Sequence, residues 1–524
     1  MARVTRRFHH SCVDRRRRRL LQALGIGGAA VGMGAAGWPL PGLAGDESPS
    51  PGGTLRVALP QASTIDPLRV SSGAGIAIVQ QVGEYLVQAD ESLQLRPMLA
   101  TDWSSEEGGR TWLFRLREGV RFHDGREMTA EDVVATFRRL VDPDLESVAR
   151  SQLDFLSADG VHAEDRYRVR FRLDRPVGAF PYYTHIYNAV ILPADYDGGF
   201  ADNPVGTGPF RLTRFRPRES AVFERNPEYW DAPKPHLERL EFGLYDGDQP
   251  QVLAMRGGEA DLMLFVGHTE SRPLLDDEDV RILAAPSPQH RQLAMRSDRP
   301  PFEDRRVRRA VALALNRQSM VQALLGGNAE RGNDHPVASV YPEADALDLA
   351  QREQDLELAR QLLAEADLGN GFSVDLHIGR IAELPQYGVL AQQMLREIGI
   401  DVNLQVEPLN TYYEHWTEVG FGLTDWVGRP VPEQILSVAF RGDAEWNAAH
   451  WRHETFDTLV RKLEAEPDAE ARARLCARLS AILNEEVPAA ISYFTHALRP
   501  IRRNVRGVRA DMSNYLDLTD AWLA

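Results

Sequence analysis

The sequence predicts two or three lobes of α/β and α+β structure, and three observations carry that expectation. At 524 residues the chain is too long for one hydrophobic core, since cores stop growing near about 250–300 residues. Between residues 112 and 173 apolar side chains recur with the period of two that marks strands, and from 304 to 406 helical and strand patterns alternate. Hydrophobic residues make up 43% and charged residues 26% of the chain, the balance of a globular protein rather than of a membrane or disordered one.

Residues 1–52 read as an address and linker. Arg15 to Arg19 form an unbroken basic run, followed by an apolar Gly/Ala-rich stretch from Leu20 to about Leu43 and then by polar Asp46-Glu47-Ser48. This is the plan of a secretory signal peptide. Arg17-Arg18-Arg19-Leu20-Leu21 resembles its twin-arginine version, and the competing reading is an uncleaved anchor. The leader holds eight Arg against the single acid Asp14, whereas the whole chain carries a net charge of -16. The body is therefore strongly acidic and is expected to repel nucleic acid. Cys12 lies in the leader and Cys476 stands alone, so neither a disulfide nor a Cys-based metal cluster is available.

In the body, Thr54 to Leu59 alternate as a strand with Leu55, Val57 and Leu59 on one face. Ala74 to Val87 have helical spacing through Ile78, Val82 and Leu86. Trp112, Phe114 and Leu116 alternate, and His123-Asp124-Gly125 forms a turn. Thr129 and Asp132 are placed as a capping box for a helix bearing Val133, Val134 and Phe137. Tyr167, Val169, Phe171 and Leu173 alternate with Arg166, Arg168, Arg170 and Arg172, a strand with one wet basic face. Asp304 is expected to cap a helix that runs through Val307, Val311, Leu315 and Val321 to Gly326-Gly327. A helix through Leu356 and Leu363, a strand at Val374, Leu376 and Ile378, a helix through Leu390 and Met394 and a strand at Val402–Val406 follow, an order implying a mainly parallel sheet.

Signatures of catalysis are missing. Gly206-Thr207-Gly208 opens like a dinucleotide loop, but Pro209 and Phe210 break the pattern, and no P-loop, zincin or nucleophile-elbow spacing occurs. His450 and His453 are spaced to share a metal ion, but no third ligand accompanies them. His123-Asp124 reads as a turn with a hydrogen-bonded His. No catalytic residue, metal site or cofactor is assigned.

Five segments in order resemble one family. They are Gly53–Ala58; Leu116–Gly125 with Thr129–Val134; Pro204-Val205-Gly206-Thr207-Gly208-Pro209-Phe210; Arg225-Asn226-Pro227-Glu228-Tyr229-Trp230; and Asp304 with Val307–Ala310. Together the chain resembles the extracellular solute-binding proteins of family 5, which serve importers of dipeptides, oligopeptides and nickel. The motifs themselves read as scaffold: Gly206 and Gly208 as a sharp turn where positive φ is tolerated, and Asn226-Pro227 as a turn starter with Tyr229 and Trp230 as apolar anchors. The resemblance implies an α/β, bilobal periplasmic-binding-protein clamshell of the large class, with an extra β-rich α+β domain. Lobe I would take 53–88, 189–283 and 493–524, the extra domain 89–188, and lobe II 284–492.

The function implied is that of an exported, monomeric protein in the periplasm or on the extracytoplasmic surface. It captures a peptide-like or anionic small molecule between its lobes and delivers it to the permease subunits of an ABC importer. A ligand-sensing partner of a receptor is the alternative; an exported hydrolase on the same scaffold is disfavoured by the missing constellations. In peptide-binding members a Trp-x-x-Asp segment lies in the cleft, where its Asp pairs with the peptide ammonium. Here the matching segment is Asp425-Trp426-Val427-Gly428-Arg429, with Arg429 in place of the Asp. An acid 4 Å from an ammonium attracts it by about 4 kcal/mol at an effective dielectric of 20, and an Arg repels it by as much. Arg429 is therefore expected to grip an anionic group, against the alternative that it faces solvent or pairs with an acid such as Glu433. Trp426 and its neighbours Asp425 and Val427, then Tyr412, Tyr413 and Trp416 after a strand end, and Ser63 and Thr64 after the first strand, complete the expected ligand-facing set.

Overall fold

The computed structural model describes residues 48–512 and 515–524; the leader with its twin-arginine-like motif and Cys12 lies outside them. No helix of the described residues is long and apolar enough to cross a membrane. Thr54–Pro60 is the expected strand, with Leu55, Val57 and Leu59 fully buried. It lies parallel to Arg239–Tyr245 on one side and Leu262–Met263 on the other. The helix that follows spans only Gly73–Val82, capped by Ser72, whose hydroxyl accepts from the Gly75 N–H. The apolar spacing continues to Val87, but Gly83 turns extended and ends the helix, and Val87–Ala89 instead pairs with Leu95–Pro97.

The β-rich block forms a four-stranded antiparallel sheet ordered Ala100–Glu106, Thr111–Leu116, Arg168–Leu173, Leu156–Asp165. Helix Ala130–Val141 lies beside it, and the Asp132 carboxylate accepts from the Thr129 N–H at 2.7 Å as a capping box requires. On the basic face of Arg168–Leu173 two arginines meet acids of their own sheet: Arg168 meets Asp165, and Arg170 meets Glu106 and Glu164. Phe114, Phe137, Phe171 and Phe180 pack edge-on or tilted beneath it, within the same buried cluster as Leu55 and Val57.

An eleven-stranded sheet organises the remainder. From one edge its strands are Ile400–Glu407, Phe372–Gly379, Phe421–Trp426, Val280–Met295, Ala489–Arg502, Leu262–Met263, Thr54–Pro60, Arg239–Tyr245, Ser220–Arg225 and Phe210–Arg216, with Ala329–Arg331 pairing on Ala489–Arg502. The expected parallel pairing holds for Phe372–Gly379 with both Ile400–Glu407 and Phe421–Trp426. The sheet as a whole is mixed, because Val280–Met295 and Ala489–Arg502 run antiparallel to each other and to their outer neighbours. At 16 residues, Val280–Met295 extends about 50 Å and belongs to both halves of the molecule. Its register with Ala489–Arg502 slips between Pro286 and His290 and again between Arg291 and Gln292.

Two further expectations are corrected. The helix begun at Asp304 is two helices, Arg305–Ala314 and Arg317–Leu325, because the Asn316 side chain accepts from the Ser319 N–H and starts a new cap. Gly206 and Gly208 do not have positive φ. They are glycine because the backbone passes directly over the end of helix Gly73–Val82: a Cβ at Gly206 would lie 2.2 Å from the Val82 carbonyl oxygen, and one at Gly208 2.6 Å from that of Gln81. His123 is locked to the same loop, its Nε2 2.9 Å from the Gly208 carbonyl, and the Asn226 amide donates to that carbonyl as well.

The anchors Tyr229 and Trp230 have polar partners besides their packing. Both donate to the buried Glu84 carboxylate, from the Tyr229 hydroxyl at 2.7 Å and the Trp230 indole at 3.0 Å. Burial pushes the Glu84 carboxyl up from its ordinary 4.5 to about 7 in spite of these donors. A carboxyl raised in the folded state takes up a proton there, so its contribution to stability is complete below about pH 4.5 and is lost as pH rises through 7.

Two predictions follow from this packing. Thermal unfolding of Gly206→Ala should show a midpoint several degrees below wild type, since the new methyl meets backbone that cannot yield, whereas Gly257→Ala, with open space around it, should differ little. In Glu84→Gln the stability difference from wild type should move in the variant's favour between pH 5 and pH 8, by up to roughly 3 kcal/mol; a difference independent of pH would show that Glu84 is ionised throughout.

Candidate ligand-binding site

Strand Phe421–Trp426 pairs with the far half of Val280–Met295, Asp425 opposite Arg291 and Trp426 opposite His290. The strand ends where the two long strands slip register, so the turn Val427–Pro430 is delivered to that point. Gly428 allows this approach: a Cβ there would lie 2.9 Å from the Met512 methyl and 3.2 Å from Pro288. Helix Pro432–Phe440 begins directly after the turn.

Trp426 is only 4% exposed. Its ring meets Trp416 edge-on at 5.8 Å and Trp446 at 6.1 Å. The indole N–H is buried and has no acceptor among the described residues. Arg429 is partly buried and its carbonyl accepts from the Tyr341 hydroxyl at 2.8 Å. Its Nε is buried without a partner, and no carboxylate of the described residues bridges its guanidinium. Glu433, four residues on, is occupied: Arg472 holds both it, at 2.6 Å, and Glu343, at 3.0 Å, with all three side chains buried. Buried donors left unsatisfied cost about 1–3 kcal/mol each, and Trp426 and Arg429 each carry one.

The aromatic residues divide. Tyr413, 39% exposed, donates to the Asp425 carboxylate at 2.6 Å and abuts Trp416. Tyr412 lies within the core: it is 1% exposed, its hydroxyl sits 2.7 Å from that of Thr424, and its ring covers Gly379. Val427 is exposed. Ser63 is exposed and Thr64 half-buried on the loop before helix Gly73–Val82, where the Thr64 hydroxyl accepts from the Asp66 N–H. No hydrogen bond or ion pair of the described residues joins either to the 426–429 turn. The structure thus links Asp425 to Tyr413, Tyr413 to Trp416 and Trp416 to Trp426, and places Ser63 and Thr64 on a separate element.

Several neighbours had no signal in the sequence. Trp446, 44% exposed, reaches Trp426 from the segment after helix Pro432–Phe440. At the register slip His290 packs edge-on against Phe494, and burial pushes its imidazole down to about 4, so it is neutral; the Nε2 atoms of His290 and His496 are buried without partners. His450 and His453 do not form a pair. His450 contacts the Thr417 carbonyl, whereas His453 stacks on Trp451 and accepts from the Phe456 N–H as the cap of helix Glu454–Ala465. Cys476 is a buried free thiol.

Residues 94–448 match the model of the bacterial extracellular solute-binding proteins, family 5. A di/tripeptide-binding protein 2 of Pseudomonas aeruginosa is 28% identical over 462 residues, covering 80% of this chain and 85% of its own. Among solved structures, a periplasmic murein tripeptide binding protein in its unliganded open form superimposes with a TM-score of 0.81 at 21% identity, over 90% of this chain and 97% of that one. A nickel ABC transporter protein of Bacillus halodurans does so with 0.78 at 26% identity, over 88% and 98%. With the family match spanning well over half of its length and the clamshell fold shared along most of it, the chain belongs to the extracellular solute-binding proteins of family 5.

Proposed function

We propose that this solute-binding protein captures a small molecule bearing a carboxylate or another anionic group, peptide-like or not, and hands it to an ABC importer. The observation that carries the reading is the turn Trp426–Arg429, with two unsatisfied buried donors and a guanidinium that meets no acid. A planar guanidinium binds a carboxylate or phosphate through two parallel hydrogen bonds, and the unpartnered Trp426 indole N–H, three residues before it in sequence, is a further donor. Trp416, Trp446 and Tyr413 supply an apolar rim around this point. The di/tripeptide-binding relative is in keeping with a peptide-like guest, but Arg429 disfavours holding a free ammonium at this position.

In this reading lobe I comprises 53–88, 189–283 and 493–524, with 89–188 as its extra domain and 284–492 as lobe II. The register slip at Pro286–His290 serves as the hinge, where Ser287 donates to the Thr495 carbonyl across the two strands. The protein acts without catalysis, as a monomer, in the periplasm or on the extracytoplasmic face, after export by the twin-arginine-like leader. Closure of the lobes on the guest would present the form that the importer recognises.

The test is a thermal-shift screen of dipeptides, carboxylates and organic phosphates. Compounds that stabilise the protein should share an anionic group, and their amide or ester counterparts should bind about 10–100-fold more weakly, the worth of one charge-assisted contact. Arg429→Ala should lose affinity for the binders by the same factor in calorimetric titration. Equal binding of the neutral counterparts, or unchanged affinity in Arg429→Ala, would remove the assignment.

A further inference from the structure

A second cluster lies away from the register slip, on the sheet half built from Phe372–Gly379, Ile400–Glu407 and Phe421–Trp426. Leu376, Ile378 and Val402 point into the core shared with Tyr387 and Ala391 of helix Leu384–Arg396. By the alternation of strands, His377 and Glu407 lie on the opposite face, where helix Leu409–His415 covers the sheet. His377 Nδ1 is 2.9 Å from Glu407 Oε1, and His415 Nε2 is 2.8 Å from Glu407 Oε2. The two imidazoles stand nearly perpendicular, 86° apart, with centroids 5.9 Å from each other. One ligand atom from each of the three residues lies within 4.8 Å of the others, and all three side chains are partly exposed.

We propose that His377, Glu407 and His415 form a binding site for a divalent transition-metal ion of the Zn²⁺ type. Two imidazole nitrogens with one carboxylate oxygen are the ligand set of borderline ions and not of Mg²⁺ or Ca²⁺, which prefer oxygen throughout. Tetrahedral coordination places ligand atoms about 3.3 Å apart, so side-chain rotations of about an ångström close the site without moving the strands. The ion takes the place of the protons shared between the imidazoles and the carboxylate. Three protein ligands leave a fourth position for water or another donor. The three residues come from two strands and a helix, so a bound ion staples the helix to the sheet. That helix carries Tyr413 and leads into Trp416, so the staple also fixes one side of the aromatic rim. The site shares no residue with the Arg429 turn and stands or falls independently of which guest that turn holds.

The experiment titrates Zn²⁺ into the full-length, untagged, EDTA-stripped protein near pH 7.5, with calorimetry as readout and Co²⁺ absorption as a second signature. One equivalent should bind with a dissociation constant in the micromolar range or tighter, and Co²⁺ should develop d–d bands. Glu407→Gln and His415→Asn should each weaken binding at least about ten-fold and lose the bands. Unfolding midpoints in EDTA report whether each variant is folded, and His377→Asn replaces either one that is not. No uptake below about 100 μM, or binding and bands that persist in folded variants, would show a hydrogen-bonded surface cluster only and overturn the proposal.

Discussion

Everything in this molecule depends on one antiparallel pair of strands, Val280–Met295 and Ala489–Arg502, in the middle of the large sheet. Val280 to Ala285 pair with Arg502 to Ala497 on the side of the first strand, and His290 to Ala294 pair with Phe494 to Ala489 on the side of Phe421–Trp426. Pro286 still pairs with His496, and the ladder is interrupted between Pro286 and His290, a stretch that includes Pro288, which cannot donate a backbone hydrogen bond. A second shift follows between Arg291 and Gln292, and a ladder weakened over so short a stretch is where a continuous sheet flexes at least cost. The turn with the orphaned donors lies against that same stretch, with Gly428 packed close to Pro288; in the proposed reading a guest held by Arg429 sits beside the hinge.

A second set of contacts ties distant segments to the end of helix Gly73–Val82. Segments far apart in the chain, Leu116–Gly125, Pro204–Phe210 and Arg225–Trp230, converge on the end of helix Gly73–Val82 and on Glu84. His123 and Asn226 both reach the Gly208 carbonyl, and Tyr229 and Trp230 both reach Glu84. Family motifs that carry no ligand chemistry are thereby accounted for: each is one piece of a polar knot that fixes the loop crossing the helix end. A binding protein needs such rigidity on either side of its hinge, because binding energy spent on deforming a lobe is not available for closure.

What could be read from the sequence divides by the range of the interaction. The strand at Leu55, Val57 and Leu59, the Thr129–Asp132 cap and the alternating strand through Val169 and Phe171 were legible, since periodicity and capping act within a few residues. The break at Asn316 was masked because the apolar spacing continues across it, and a side-chain cap overrides spacing. Gly206 and Gly208 look the same in sequence whether glycine serves positive φ or a close approach to Val82, and only the fold distinguishes the two. At the site, Arg429 was legible as a departure from Trp-x-x-Asp. Its lack of an acidic partner was not, because Arg472 of a later helix takes Glu433. Tyr412 and Tyr413 are adjacent, yet Thr424 draws one inward and Asp425 holds the other at the surface. His377, Glu407 and His415 have no motif spacing, since neighbouring strands bring together residues about thirty positions apart.

The central claim is that two lobes hinged on shared strands close over an anionic guest. Small-angle X-ray scattering of the protein, before and after saturation with the small molecule that stabilises it most, tests this directly. The account predicts a smaller radius of gyration in the bound state. A saturating anionic binder that leaves the scattering profile unchanged would contradict it.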